Sequence, residues 1–181
     1  MTLAPATVED TIEKNIRTAA DRIGIQVRSA WLRRGRARRP PREQLGRFDE
    51  AIAVLEQALT VLRSIGDRWA EGIALDILGT AHHRLQRHDD AVAYFHQALD
   101  THADIGNRSG EAHTLGNLGD VHLAADDPEA ARTNWQQALA ILEKVDHPDA
   151  EEIRGRLRRL EKLPPDARPD PTVGREAPTL P

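Results

Sequence analysis

The sequence predicts an all-α fold, and three observations carry that expectation. Apolar residues recur three and four positions apart rather than in alternation, which is the period of a helix with one buried face. The chain repeats itself at an offset of 40 residues, the kind of period that marks stacked supersecondary units. Only 3% of its 181 residues are aromatic, too few for the strands of a typical sandwich or barrel. Hydrophobic and charged contents of 39% and 30% suit a core built from Ala, Leu and Ile. With no Cys, disulfides, thiol catalysis and Cys-ligated zinc are excluded. No run approaches the roughly 18 apolar residues of a membrane span, and the opening "MTLAPATVEDTIEKN" lacks the basic start and apolar segment of a signal peptide. A cytoplasmic location, with no membrane partner, is the expectation.

Three lines stack at the 40-residue offset: Arg47 to Gln86, Arg87 to Asp126, and a third that starts at Asp127 and decays after Glu151. Identical or similar residues fall at Ala51/Ala91/Ala131, Leu55/Phe95/Trp135, Ala58/Ala98/Ala138, Leu59/Leu99/Leu139 and Glu71/Glu111/Glu151, then at Leu75/Leu115, Leu78/Leu118, Gly79/Gly119 and His82/His122. Each line reads as two helices. Ile52, Leu55, Leu59 and Leu62 form one stripe, and Leu75, Leu78, His82 and Leu85 form the next. Glycine inside a helix costs about 1 kcal/mol against Ala, so Gly79 and its counterpart Gly119 argue for a close helix approach. Gly66 and Gly106 stand just past predicted helix ends, and Asp67 and Asn107 follow them as caps for the next helix.

At these residues the chain resembles the tetratricopeptide repeat family in its 40-residue form, as found in large bacterial signalling regulators and polarity adaptors. The resemblance spans about 45 to 163. It implies a short α-solenoid of antiparallel helix pairs in a right-handed superhelix, whose concave surface takes a peptide or protein segment without catalysis. Carried over by alignment, the first helices of the repeats line that surface with Ile73, Asp76, Thr80 and His83, then His113, Gly116, Asn117, Asp120 and Leu123. Asn117 stands where such arrays bond a ligand backbone. Ile77 stands opposite it, so the basic clamp that chaperone-binding members place on a C-terminal carboxylate is absent. The acidic lining favours a basic partner.

Three segments follow. Residues 1–44 carry a net charge of +5, residues 45–152 of −12 and residues 153–181 of +3. The first repeat lacks a recognisable first helix, since shifting the pattern back lands on Pro40–Pro41, which break helices. The stripe Val8, Ile12, Ile16, Ala19, Ala20 and Ile23 predicts an amphipathic helix over about 7–24 that can dock on the open end. If it does not dock, that end should self-associate into a homo-oligomer. At the other end, Ala150 to Leu163 keeps Ile153, Leu157 and Leu160 on one face of an otherwise polar cap helix. The last 18 residues, 164–181, hold 6 Pro and read as a disordered tail.

A second reading comes from seven Arg without an intervening acid: Arg28, Arg33, Arg34, Arg36, Arg38, Arg39 and Arg42. Such a run attracts phosphate. "AADRIGIQVRSAW" also loosely resembles a helix-turn-helix, though Arg33 stands where the recognition helix needs an apolar anchor. On this reading the chain is a DNA-binding regulator that uses the arginine-rich N-terminal segment, and the repeats serve dimerisation or sensing. Trp69 sits in a repeat turn opposite Ser109 and Asp149, as an exposed partner anchor or a local staple. The eight His show no metal-ligand spacing, with His82 and His122 expected to pack between helices. No phosphate-loop, dinucleotide or nucleophile-elbow motif occurs, so no cofactor, metal or enzymatic activity is expected.

Overall fold

The structure is a computed structural model that describes residues 42–162. The helix expected over 7–24, six of the seven arginines of the basic run (Arg28 to Arg39), Leu163 and the tail 164–181 lie outside the described residues. Six helices follow one another with no strand among the described residues: α1 (Arg42–Ile65), α2 (Arg68–Arg84), α3 (His88–Asp104), α4 (Arg108–Ala124), α5 (Pro128–Lys144) and α6 (Ala150–Glu161). Helices α2 and α4, like α3 and α5, have the same length and start 40 residues apart. Helix α1 starts at Arg42, immediately after the proline pair and ahead of the boundary expected at residue 45. Each helix packs on its sequence neighbour, and α2 also touches α4.

The turns repeat every 20 residues. Gly66 and Gly106 have φ of +76° and +66°, while Gln86, Asp126 and Asp146 take the same left-handed conformation at 60°, 61° and 51°. Only the two glycines adopt it without a Cβ penalty. Each turn closes by a backbone bond from the residue after it to the helix behind, as in Asp67 N to Leu62 O (3.1 Å) and Asn107 N to His102 O (2.9 Å). Asp67, Asn107 and Asp127 then cap the next helices by accepting from the backbone N–H of Ala70, Gly110 and Ala130 at 3.0, 3.0 and 2.9 Å.

Between the helices the core is built of Ala against large side chains. Ala51, Ala91 and Ala131 are fully buried, as are Ala98 and Ala138. The recurring glycines face aromatic rings: a Cβ on Gly79 would lie 2.7 Å from the Phe95 ring, and one on Gly119 would lie about 2.4 Å from Trp135 Cδ1. Trp135 is 2% exposed, and its indole N–H donates to Gly116 O at 3.1 Å. Phe48, Ile52, Leu55 and Leu59 of α1 are all at 7% exposure or less and share one core cluster with Leu75 and Leu78 of α2. Among the large apolar side chains described on α1, Val61 and Ile65 near its C-terminus are exposed.

Candidate functional site

Helices α2, α4 and α6 share one face, and a cavity of about 410 Å³ opens along it. Four residues expected to line a groove do so: Ile73 from α2, and His113, Gly116 and Asn117 from α4. Trp69 forms the wall at the start of α2 with 58% of its surface exposed. The opposite wall comes from Glu152, Ile153 and Arg156 of α6, which the sequence reading left out. The same 40-residue offset that pairs Ile73 with His113 leads on to Ile153, and from Gly116 to Arg156, so the signal was present.

The other expected lining residues are placed differently. Asp76 is only 7% exposed; its carboxylate accepts from Thr114 Oγ1 at 2.8 Å and meets His102 Nε2 at 3.0 Å. Thr80 is half-buried and donates to the Asp76 backbone carbonyl at 2.8 Å. His83 lies beside His88 with ring centroids 5.6 Å apart, and Leu123, 36% exposed, sits near the end of α4. None of these five lines the cavity, Asp120 being the fifth. The Asp120 carboxylate accepts from Arg156 Nη1 at 3.0 Å, and the same nitrogen donates to Gly116 O at 3.2 Å. Arg156 also reaches Glu152 at 3.0 Å through Nη2. The cap helix is thus clamped onto α4 at the edge of the groove.

The electrostatics follow from that packing. Burial, reinforced by the neighbouring His102, His147 and Arg156, pushes the His113 imidazole down to about 2, so it meets a ligand as a neutral ring. Burial pushes the Asp120 carboxyl up to about 6 against the opposing pull of Arg156. Arg156 is matched by Asp120 and Glu152, which leaves Asp149, another lining residue, as the acid beyond that balance. The wall therefore combines an exposed indole, apolar Ile73 and Ile153, the Asn117 amide and an acidic rim. Such a surface can hold an extended chain through backbone contacts to Asn117 and an anchor side chain against Trp69.

A family model described as tetratricopeptide repeat matches residues 42–101 and, in a second placement, 70–144. The chain belongs to the tetratricopeptide repeat family. Repeats of this family mediate protein–protein interactions and form a scaffold that is typically non-catalytic. Comparison with curated protein sequences finds no match. Among the described residues no cluster of His, Cys, Asp and Glu is arranged to hold a metal ion, and no helix is long and apolar enough to cross a membrane.

Proposed function

We propose that this tetratricopeptide array is a non-catalytic adaptor whose groove across α2, α4 and α6 binds an extended segment of a partner protein carrying a basic side chain. The observation that carries this reading is the cavity itself: one face of three helices supplies an exposed Trp69, the Asn117 amide and the acid Asp149 in a single opening. A guanidinium or ammonium group gains from the indole face and from that carboxylate together. The resemblance to arrays in bacterial regulators supports a place in signalling or transcriptional control inside the cell.

Pull-down from source-cell lysate, with the full chain and with a version lacking residues 1–41, tests the reading. A protein captured by both, unaffected by nuclease and lost with Trp69→Ala or Asn117→Ala, supports the groove. Trp69 is more than half exposed, so its truncation should leave the fold intact. Capture that needs residues 1–41 and vanishes with nuclease would overturn the reading in favour of nucleic-acid binding through the arginine run. Capture unchanged by either substitution would place the binding surface elsewhere.

A further inference from the structure

At the junction between the first two helix pairs the repeat departs from its own pattern. His102 stands where the other lines carry Leu62 and Leu142, Asp76 where they carry Gly116 and Arg156, and Thr114 where they carry Ala74 and Arg154. The three side chains are buried, at 1%, 7% and 0% exposure. Room for the imidazole comes from Gly72 and Gly110, where a Cβ would lie 2.6 Å from the ring. The equivalent positions Ala112, Ala70 and Ala150 each carry that Cβ. Where both other lines place a leucine, this level holds an imidazole joined to a chain of polar side chains.

The hydrogen bonds of that chain determine one another. Asn107 Oδ1 accepts from Gly110 N at 3.0 Å, the cap of α4, so its amide nitrogen must face His102 Nδ1, which it does at 3.1 Å. An amide nitrogen can only donate, hence Nδ1 carries no hydrogen and His102 is the neutral ring with hydrogen on Nε2. That hydrogen points to Asp76 Oδ2 at 3.0 Å, and Asp76 Oδ1 accepts from Thr114. A proton arriving at Asp76 disturbs nothing. The Thr114 hydroxyl, also 3.0 Å from Gly110 O, turns its hydrogen there and accepts from the carboxyl. A proton arriving at Nδ1 sets donor against donor, and the Asn107 amide can relieve this only by rotating away from Gly110.

We infer that this chain is a proton-operated joint in the solenoid: protonation of His102 uncaps α4 and loosens its first turn, which lines the groove, in a step separate from unfolding. The joint acts whatever the groove binds. The groups facing it are Asp76 and Gly72 from α2, Asn107, His113 and Thr114 from α4 and its cap, and His147, Asp149, Glu152 and Arg156, which line the same cavity. Burial pushes the Asp76 carboxyl upward against the opposing bonds from His102 and Thr114.

The test is nitrogen NMR and amide exchange on the full chain. In mildly alkaline solution His102 should show hydrogen on Nε2 and a bare Nδ1, as its bonds to Asp76 and Asn107 require. Lowered to about pH 5, the protection of the Gly110 amide should fall roughly fivefold to tenfold relative to Ala130, the loss of one side-chain cap. Ala130 is the internal control because Asp127 caps it with no imidazole in the arrangement. His102→Gln, which cannot take a proton, should abolish the fall. Asn107→Ser, which keeps a capping oxygen without the amide donor, should also abolish it. Hydrogen on Nδ1 at the higher pH, parallel loss at Gly110 and Ala130, or a fall that persists in His102→Gln would overturn the proposal. Should either variant fail to fold, the tautomer and the Gly110-to-Ala130 ratio in the unsubstituted chain decide alone.

Discussion

Replacing Gly119 by Ala separates helix propensity from packing, because the two predict opposite signs. In an exposed helix the change stabilises by about 1 kcal/mol. At Gly119 the new methyl would lie 2.3 Å from Trp135 Nε1 and 2.9 Å from Cε2, far inside van der Waals contact. The ring is not free to yield, since it is 2% exposed and tied by its N–H to Gly116 O. Overpacking of this kind costs about 1–3 kcal/mol, and displacing the indole forfeits a hydrogen bond worth about 1 kcal/mol. After subtracting the propensity gain, the net loss is about 1–3 kcal/mol. For a domain of this size that is a fall in melting temperature of roughly 4–12 °C. The contrast is Gly155→Ala on α6, where a Cβ meets nothing nearer than Arg159 Nη1 at 3.8 Å, so about 0.5–1 kcal/mol of stabilisation is expected. Thermal melts followed by circular dichroism measure both. Adding Trp135→Leu, which restores the residue type of Leu55 in the first line, should make Gly119→Ala much less costly than in the parent background. If Gly119→Ala raises the melting temperature as Gly155→Ala does, the glycine is not there for the ring.

Two further outcomes concern caps and protons. Asp67→Ala removes the acceptor for the Ala70 N–H at the start of α2 and should cost about 1 kcal/mol in urea melts; no change would mean that water caps the helix equally well. Burial, with His88 and Arg84 nearby, lowers His83 from 6.5 to about 4, and His113 falls further. Each binds a proton more weakly folded than unfolded, so the stability held above pH 6.5 is lost as pH falls from there toward the folded value. By pH 5 the loss is roughly 2 kcal/mol per histidine. His83→Leu, matching Leu123, should remove about half of it, and equal urea midpoints at neutral and at mildly acid pH in the unsubstituted chain would refute both shifts.

The helices were legible because a repeat states each element more than once. Ala51, Ala91 and Ala131 mark the same buried position in three helices, and the turns at Gly66 and Gly106 announce themselves through the residue type that a positive φ favours. Gln86, Asp126 and Asp146 adopt the same conformation without such a residue, so only the 20-residue spacing reveals them. The groove was legible in part. Alignment carried Ile73, His113, Gly116 and Asn117 to the cavity, and one more step along the same offset would have added Ile153 and Arg156.

Asp76 shows where repeat logic stops. Its place on α2, one turn from Ile73 and one from Thr80, assigns it to the lining by spacing alone, yet its side chain faces His102. A carboxylate takes the direction in which a buried donor waits, since an unpaired one would be far more costly to bury. That donor lies 26 residues away on another helix, and nothing near Asp76 in sequence names it. The visible trace is instead a coincidence of exceptions: His102 among leucines, Thr114 opposite an alanine, Gly110 where both other lines carry Ala, and Gly72 where they carry Ala112 and Glu152. Each exception alone is an ordinary substitution. Together they share one volume, because the two glycines vacate the space that the imidazole fills and the threonine and asparagine meet its remaining bonding needs. In a repeat protein the period gives the scaffold, and correlated departures from it are where a side chain has been given a different task.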